Sequence, residues 1–193
     1  AAMSKGIAEI IEIVYNNGPI DGILSMGGSA GTAVGTSAMR ALPVGFPKVM
    51  VSTVAAGDTT AYVGVKDIVM IPSVVDVAGI NRIRRQIYAN AVGAIVGMVE
   101  TEPAPVEEKP LIAATMFGNT TQAVDQARAI MESHGYEVLV FHCTGTGGQT
   151  MEGLIADGLI EGVLDITTTE WADELVGGVL TAGPTRLEAA AAA

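Results

Sequence analysis

Cysteine, aromatic side chains and basic residues are all scarce in this chain, and each shortage excludes something. Cys143 is the single cysteine among 193 residues, so no intramolecular disulfide can form. With only His134 and His142 beside it, this thiol cannot complete a conventional structural zinc site. Ten basic residues against 21 acidic ones give a formal charge of −11. This charge disfavours nucleic acid as a main ligand, because binding a phosphate backbone needs a cationic surface.

Long apolar runs of the kind that cross a membrane are missing as well. Residues 22–39 carry no charge, but their glycines and hydroxyl side chains exclude a transmembrane helix. We also expect no signal peptide before them. We therefore expect a cytoplasmic protein that binds neither membrane nor nucleic acid.

What the sequence does contain is aliphatic side chains and glycine. Hydrophobic residues make up 49% of the chain, aromatic ones 4%, and there are 24 glycines. An aliphatic core with many turns is typical of a parallel-sheet α/β protein, whose central strands are buried on both faces. The sequence therefore predicts the α/β fold class, with mostly parallel sheets.

Predicted strands and helices alternate along the chain, which favours parallel sheets with right-handed crossovers. Apolar side chains at helical spacing, Ile7, Ile10, Ile11 and Val14, predict a first helix over residues 4–17. The predicted strands are one that ends at Gly27, then 48–53, 67–71, 111–117, 137–143 and 162–167. The further predicted helices are 31–41, 79–99, 120–134, 150–156 and 170–180.

One segment reads as a linker between two domains. Residues 101–110 contain three prolines and four charged residues and show no apolar periodicity. We therefore predict a first domain over residues 1–101, a linker over 102–110 and a second domain over 111–193. The chain opens on a helix and both its ends carry runs of alanine, so we expect it to be a fragment of a longer protein.

The first candidate site is the glycine-rich loop that follows the first predicted strand. Glycines let a backbone approach a ligand closely, and the first N–H groups of a helix lack internal partners, so this loop is suited to a phosphate or carboxylate. The alternative interpretation is a sharp strand-to-helix turn without a ligand. The candidate binding residues are Gly27, Gly28, Ser29, Gly31 and Thr32, with Thr53 at the end of the next strand.

A second loop repeats this arrangement in the second half of the chain. It lies between a predicted strand and a predicted helix, so it is either a second anion site or a flexible turn. Its candidate binding residues are Thr144, Gly145, Thr146, Gly147 and Gly148.

Three acidic residues have both a structural and a chemical interpretation. Thr167 and Glu170 have the spacing of a capping box, which predicts a structural role. Asp165 or Glu170 is otherwise a candidate acid or base, with Thr168 and Thr169 facing the ligand. Asp76 is either the N-terminal cap of the following helix or a ligand for Mg²⁺ or a ribose.

The basic residues and the thiol favour structural interpretations. Arg82, Arg84 and Arg85 form a cluster that we interpret as a solvated helix face, with an anion or partner contact as the alternative. His134 precedes Gly135 at a predicted helix C-terminus, where a cation suits the helix dipole. Cys143 is expected to be a small buried apolar side chain.

Six blocks of this sequence resemble the Tm-one-like ATP-binding domain family, a long uncharacterised family. Its eponym is a plant inhibitor of tobamovirus RNA replication. The blocks lie in family order and cover nearly the whole chain; they are residues 26–32, 42–57, 73–81, 114–118, 141–148 and 164–170.

The resemblance implies more than the residues alone can establish. It implies two Rossmann-like subdomains in a cytoplasmic protein that binds ATP and that tends to form a homodimer. We expect Mg²⁺ to accompany the ATP. Three hypotheses follow. The first is a nucleotide-binding protein of unassigned activity, the second an enzyme acting on a small carboxylated or phosphorylated metabolite at the cleft between subdomains, and the third a regulatory protein-interaction module.

Overall fold

A computed structural model describes residues 2–193 of the chain, in which strands and helices alternate. The strands are β1 (Ile23–Gly27), β2 (Lys48–Ser52), β3 (Val69–Pro72), β4 (Leu111–Met116), β5 (Glu137–His142) and β6 (Gly162–Leu164). The helices are α1 (Ala2–Asn17), α2 (Ser29–Arg40), α3 (Thr60–Val63), α4 (Arg82–Glu100), α5 (Thr121–Ser133), α6 (Thr146–Ala156), α7 (Glu170–Val176) and α8 (Ala189–Ala192).

The chain divides into two compact units, one ending at Ala104 and the other beginning at Pro105. Each unit contains one parallel three-stranded sheet among the described residues, with strand order β1-β2-β3 in the first and β5-β4-β6 in the second. The division lies in the segment 101–110, which has no regular secondary structure. The predicted fold class is confirmed, and the two units are consistent with Rossmann-like subdomains.

In the first unit, helices cover both faces of the sheet. Every residue of β2 is buried, as expected for a central parallel strand. Val49 and Val51 pack against Ala91 and Ile95 of α4. Met50 points to the opposite face, where α2 lies so close that only glycine fits at position 35. Helices α2 and α4 therefore lie on opposite faces of the sheet.

Lys48 is a fully buried cation at the start of β2, a position that would ordinarily hold an apolar residue. Its Nζ donates to the carbonyl oxygens of Pro43 (2.6 Å) and Phe46 (3.0 Å) and to Asp67 Oδ1 (2.7 Å). An ammonium group has three N–H donors, so all of them are satisfied. This ion pair joins the connection after α2 to the segment before β3.

The second unit has the same layered construction. On one face of its sheet, Ile112 and Ala114 pack against Val124 of α5. On the other face, Ala113 packs against Met151 and Ile155 of α6. Successive residues of β4 thus alternate between two apolar layers, which is the pattern of a strand covered on both sides.

Several predicted boundaries are wrong, and tertiary contacts explain two of them. Helix α6 begins at Thr146 rather than at residue 150, because its first turn is capped by the side chain of Glu170. Strand β6 ends at Leu164 rather than at residue 167, because the segment after it leaves the sheet to form side-chain bonds. Helix α7 ends at Val176, where Gly177 adopts a left-handed conformation. Helix α3 was not predicted.

No helix in the described part of the chain is long and apolar enough to span a bilayer.

Two glycines inside helices offer a matched test of this packing. A Cβ at Gly35 of α2 would lie 2.5 Å from Ser25 Oγ, whereas a Cβ at Gly93 of α4 would meet nothing within 4 Å. We expect Gly35→Ala to lower the free energy of unfolding by about 1–3 kcal/mol through overpacking. Gly93→Ala should raise it by about 0.5–1 kcal/mol, because alanine favours the helix. Urea unfolding of both variants measures the difference, and equal effects would contradict the packing of α2.

Candidate functional site

The strand ends of the first unit meet at one edge of the sheet. The parallel register pairs Gly27 with Ser52 and Ser52 with Pro72, so the last residues of β1, β2 and β3 lie side by side. In open α/β sheets, ligands bind beyond the carboxyl ends of the strands. The loops that follow Gly27, Ser52 and Pro72 therefore form the candidate site of this unit.

The turn from β1 into α2 is built by contacts that leave no room for side chains. A Cβ at Gly27 would lie 2.8 Å from Gly31 Cα, so this close approach requires glycine at position 27. The hydroxyl of Thr32 lies 2.8 Å from the carbonyl oxygen of Gly28 and 2.6 Å from Ser52 Oγ. Thr32 is fully buried, so its side chain holds the turn in place and is not open to a ligand.

The start of α2 is open and uncapped. Gly28 is the N-cap and supplies no side-chain cap, and the first helical bond runs from Thr32 N to Gly28 O. The amides of Ser29, Ala30 and Gly31 consequently have no hydrogen-bond partner among the described residues. All three residues are exposed.

Thr53 lies beside this helix start and completes the candidate site. A Cβ added at Gly28 would meet only Thr53 Oγ1, at 3.7 Å, so the corner between them has space for another group. Thr53 is exposed, while its amide donates to the carbonyl oxygen of Gly27 (3.2 Å). The structure therefore brings Gly28, Ser29, Gly31 and Thr53 together as groups that a ligand can reach.

In the second unit, one buried arginine organises the corresponding edge. Arg186 is 1% exposed and binds Asp165 through two parallel bonds, Nη1 to Oδ2 (2.6 Å) and Nη2 to Oδ1 (2.7 Å). Its Nε donates to Glu170 Oε2 (2.7 Å), and its Nη1 also contacts Glu152 Oε1 (3.2 Å). Asp165 and Glu170 raise the pKa of this guanidinium further, against the effect of burial, so Arg186 remains charged.

Glu170 also caps helix α6 from a distance. Its Oε1 accepts hydrogen bonds from the amides of Gly145 (2.8 Å) and Gly148 (3.1 Å), the N-cap and third residues of α6. These are the two amides that a local capping box would satisfy. A Cβ at Gly148 would lie 2.2 Å from the Glu170 carboxylate, so the contact requires glycine.

These contacts decide between the structural interpretations given to this region. The capping box of Thr167 and Glu170 is wrong, because Glu170 binds α6 and Arg186 instead of the start of its own helix. The amides of Gly145 and Gly148, candidate donors to a ligand, donate to a protein carboxylate. A Cβ at Gly147 would lie 1.8 Å from the carbonyl oxygen of His142, so this glycine serves close packing.

A separate cleft of about 440 Å³ lies at the ends of β4 and β6. Residues 117–120 form one wall and residues 166–169 the other. The hydroxyls of Thr120 and Thr167 are hydrogen-bonded across it (2.6 Å). Sequence reasoning singled out Thr168 and Thr169 here but missed Asn119 and Thr120, although a glycine and two polar residues directly after a predicted strand are a usable signal.

The remaining candidates have mixed outcomes. Asp76 was predicted as a possible helix cap, but its Oδ1 accepts a bond from the Val77 amide, and Asn81 caps α4 by accepting from Arg84 N. The described residues contain no cluster of three His, Cys, Asp or Glu side chains able to hold a metal ion. His134 ends α5 as predicted, with its Nδ1 2.7 Å from the Ile130 carbonyl oxygen.

The arginine cluster and the thiol complete the comparison. Arg82 and Arg85 are exposed, as predicted for a solvated helix face, but Arg84 is only 2% exposed, so the prediction is wrong for it. Cys143 is fully buried as predicted, and its thiol donates to the carbonyl oxygen of Thr167 (2.9 Å). Burial raises the pKa of this thiol, and the Glu170 carboxylate raises it further.

Comparison with known families now assigns the chain. Residues 1–104 match the N-terminal domain of the uncharacterised protein family UPF0261, and residues 109–193 match its C-terminal domain. The chain belongs to the UPF0261 family. The two matches correspond to the two compact units of the structure.

Relatives of this chain occur in bacteria and in a plant. A UPF0261 protein of Clostridium tetani is 59% identical over 97% of this chain and 47% of its own length. One from Mesorhizobium japonicum is 48% identical over 99% of this chain and 48% of its own length. The tomato ToMV resistance protein Tm-1 is 44% identical over 98% of this chain and 26% of its own length. The chain thus spans about half the length of these bacterial relatives.

The Arg186 cluster gives a stability prediction with an internal control. Replacing Arg186 by Met leaves Asp165 and Glu170 without their cation, and breaking such a buried pair costs about 3–5 kcal/mol. Arg128→Met removes an exposed pair with Glu132 on α5 and should change stability little. Urea unfolding compares the two variants, with Arg186→Lys as a milder change if Arg186→Met does not fold. Equal stability of the two Met variants would show that the cluster is not structural.

The buried thiol gives a pH prediction. Because the pKa of Cys143 is raised above its ordinary value of 9.0, the folded protein keeps this proton where the unfolded chain loses it. The thiol therefore contributes stability below that value, which is lost as the pH rises through the folded pKa. We expect the free energy of unfolding to fall more steeply at alkaline pH in the wild type than in Cys143→Ser. Parallel slopes in urea-unfolding series would refute this contribution.

Proposed function

We propose that this chain binds the phosphate groups of a nucleotide at the start of α2. The observation that carries the proposal is the group of three exposed amides, at Ser29, Ala30 and Gly31, that lack partners at the carboxyl edge of a parallel sheet. Such amides and the helix dipole together favour a phosphate. The Thr53 hydroxyl beside Gly28 is a further donor. The choice of ATP comes from the family resemblance alone.

The acidic character of the chain determines how such a ligand is bound. The formal charge is −11, and the first turn of α2 contains no basic residue. A nucleoside triphosphate would therefore be bound with Mg²⁺, which offsets the phosphate charge. In proteins, Mg²⁺ is usually held by phosphate oxygens together with one or two carboxylates. Asp76 is the candidate protein ligand, since it is exposed in the loop that follows β3 at the same edge.

Other sequence-derived candidates stand outside this proposed site. Thr32 is buried, and Gly27 serves the tight turn. The second loop, from Thr144 to Gly148, has two of its amides bound to Glu170. Asp165 and Glu170 are held by Arg186, which favours a structural role over acid or base chemistry.

The test of the proposal is ATP-dependent stabilisation in a pair of glycine variants. Gly28→Val fits the extended backbone at this position and places its methyl groups over the open corner. Gly93→Val, at an exposed position of α4, has nothing within 4 Å of the added Cβ and is the control. At about 100 times its dissociation constant, ATP with Mg²⁺ should stabilise the wild type and Gly93→Val by ~2.7 kcal/mol, and Gly28→Val much less.

The ligand panel in this thermal-shift measurement includes AMP, inorganic phosphate and sugar acids. No shift with ATP, together with stabilisation by a sugar acid, would contradict the nucleotide proposal and support a metabolic enzyme. Release of ADP during the same titration would indicate ATP hydrolysis. Equal shifts in Gly28→Val and Gly93→Val would place the ATP site elsewhere.

A second candidate is a regulatory interaction protein that forms a homodimer in the cytoplasm. The observations that favour it are the relation to the tomato ToMV resistance protein and the apolar side chains that α1 leaves exposed. Ile10 and Ile13 are 56% and 61% exposed. Sedimentation of the same samples with and without ATP distinguishes the candidates, because a nucleotide-tuned dimer changes mass without forming a product.

A further inference from the structure

The first turn of α4 contains a buried cation that the described part of the chain leaves unpaired. Arg84 is 2% exposed, and its Nε and Nη1 are buried without a hydrogen-bond partner among residues 2–193. Its neighbours Arg82 and Arg85 are exposed to solvent. Burial without a partner is therefore specific to Arg84 within the arginine cluster.

Such an arrangement is costly, and the same chain shows how a buried guanidinium is normally accommodated. Arginine remains protonated in proteins, so it cannot avoid the cost by losing its charge. Arg186, which is buried to the same degree, binds three carboxylates. Arg84 has no such acceptors among the described residues, which indicates that an anion from outside this set completes it.

The position of Arg84 in the helix directs its side chain toward the start of α4. Arg84 is the third residue of α4, and helical side chains lean toward the N-terminus of their helix. It precedes Ala91 by seven residues and Ile95 by eleven, so it lies on the helix face that packs against β2. Because α4 follows β3, this helix start lies at the carboxyl edge of the sheet.

Backbone donors are available at the same place. Asn81 caps α4 by accepting from the Arg84 amide (2.9 Å), and its carbonyl accepts from the Arg85 amide (3.0 Å). The amides of Arg82 and Ile83 have no partner among the described residues. A guanidinium and two helix N-terminal amides are a donor set that matches the oxygens of a phosphate or carboxylate.

We propose that the first turn of α4 is an anion-binding site in which Arg84 binds a phosphate or carboxylate group of a small molecule. The site is built on the start of α4, whereas the nucleotide site proposed above is built on the start of α2, and these two helices cover opposite faces of the sheet. Neither site requires the other. The site at α4 contains the positive charge of Arg84, whereas the first turn of α2 contains no basic residue.

The test measures thermal stabilisation by inorganic phosphate and by succinate, against chloride at matched ionic strength. The variants are Arg84→Met, which keeps the length of the side chain without its charge, and Arg85→Met, which removes an exposed charge from the same turn. At ten times its dissociation constant, a bound anion should raise the melting temperature of the wild type and of Arg85→Met by about 3–6 °C. Because the start of α2 is also proposed to bind phosphate, both Met variants are made in the Gly28→Val background, and there Arg84→Met should show no such shift.

A second readout separates ligand binding from a merely structural role. Without an added anion, Arg84→Met should melt no lower than the wild type, because it removes an unpaired buried charge. Gly28→Val should retain the phosphate shift if the two sites are independent. An anion shift that persists in the double variant Gly28→Val, Arg84→Met, or no shift in the wild type with either anion, would overturn the proposal.

Discussion

Helix starts leave backbone amides that need acceptors, and three helices of this protein meet that need in different ways. Helix α6 uses Glu170, a residue far along the chain, to bind the amides of Gly145 and Gly148. Helix α4 uses the neighbouring Asn81 for part of its first turn. Helix α2 has no cap of either kind. Since unsatisfied amides are acceptable where water or a ligand can reach them, the open start of α2 is the natural place for a ligand.

Buried charge obeys the same requirement at a higher cost. In the second unit, Arg186 links Asp165, which follows β6, to Glu170, which begins α7. Asp165 also accepts a hydrogen bond from Thr115, and Glu170 accepts one from the Gly145 amide. In the first unit, Lys48 satisfies its three donors with two carbonyl oxygens of the connection after α2 and with Asp67, which precedes β3. These two cations are accommodated in the fold because each of their donor nitrogens has an acceptor. Arg84 differs from both, because its Nε and Nη1 have no acceptor among the described residues. This difference is why we assign Arg84 to ligand binding and the other two cations to structure.

The sequence predicted the layered fold well because that fold is encoded locally. Aliphatic runs, glycine and proline at their ends and helical spacing between them are all visible within short windows. The predictions that failed concern residues whose contacts are distant in the sequence. The spacing of Thr167 and Glu170 fits a capping box, but the Glu170 carboxylate binds Arg186 and the α6 amides instead. The burial of Arg84 was also missed. Only its helical spacing from Ala91 and Ile95, which places it on their buried face of α4, distinguishes it from Arg85.

The acidic composition and the proposed anion sites are compatible because charge and donor geometry act over different distances. A net charge of −11 repels an anion, but in about 0.1 M salt this repulsion is largely screened beyond about 10 Å. Once an anion reaches a helix start, short hydrogen bonds from fixed amides determine its binding. Two neighbouring sites of this kind, one with amides and Thr53 and the other with amides and Arg84, differ in charge. They would therefore select differently charged ligands, with a metal-neutralised phosphate at α2 and a free oxyanion at α4.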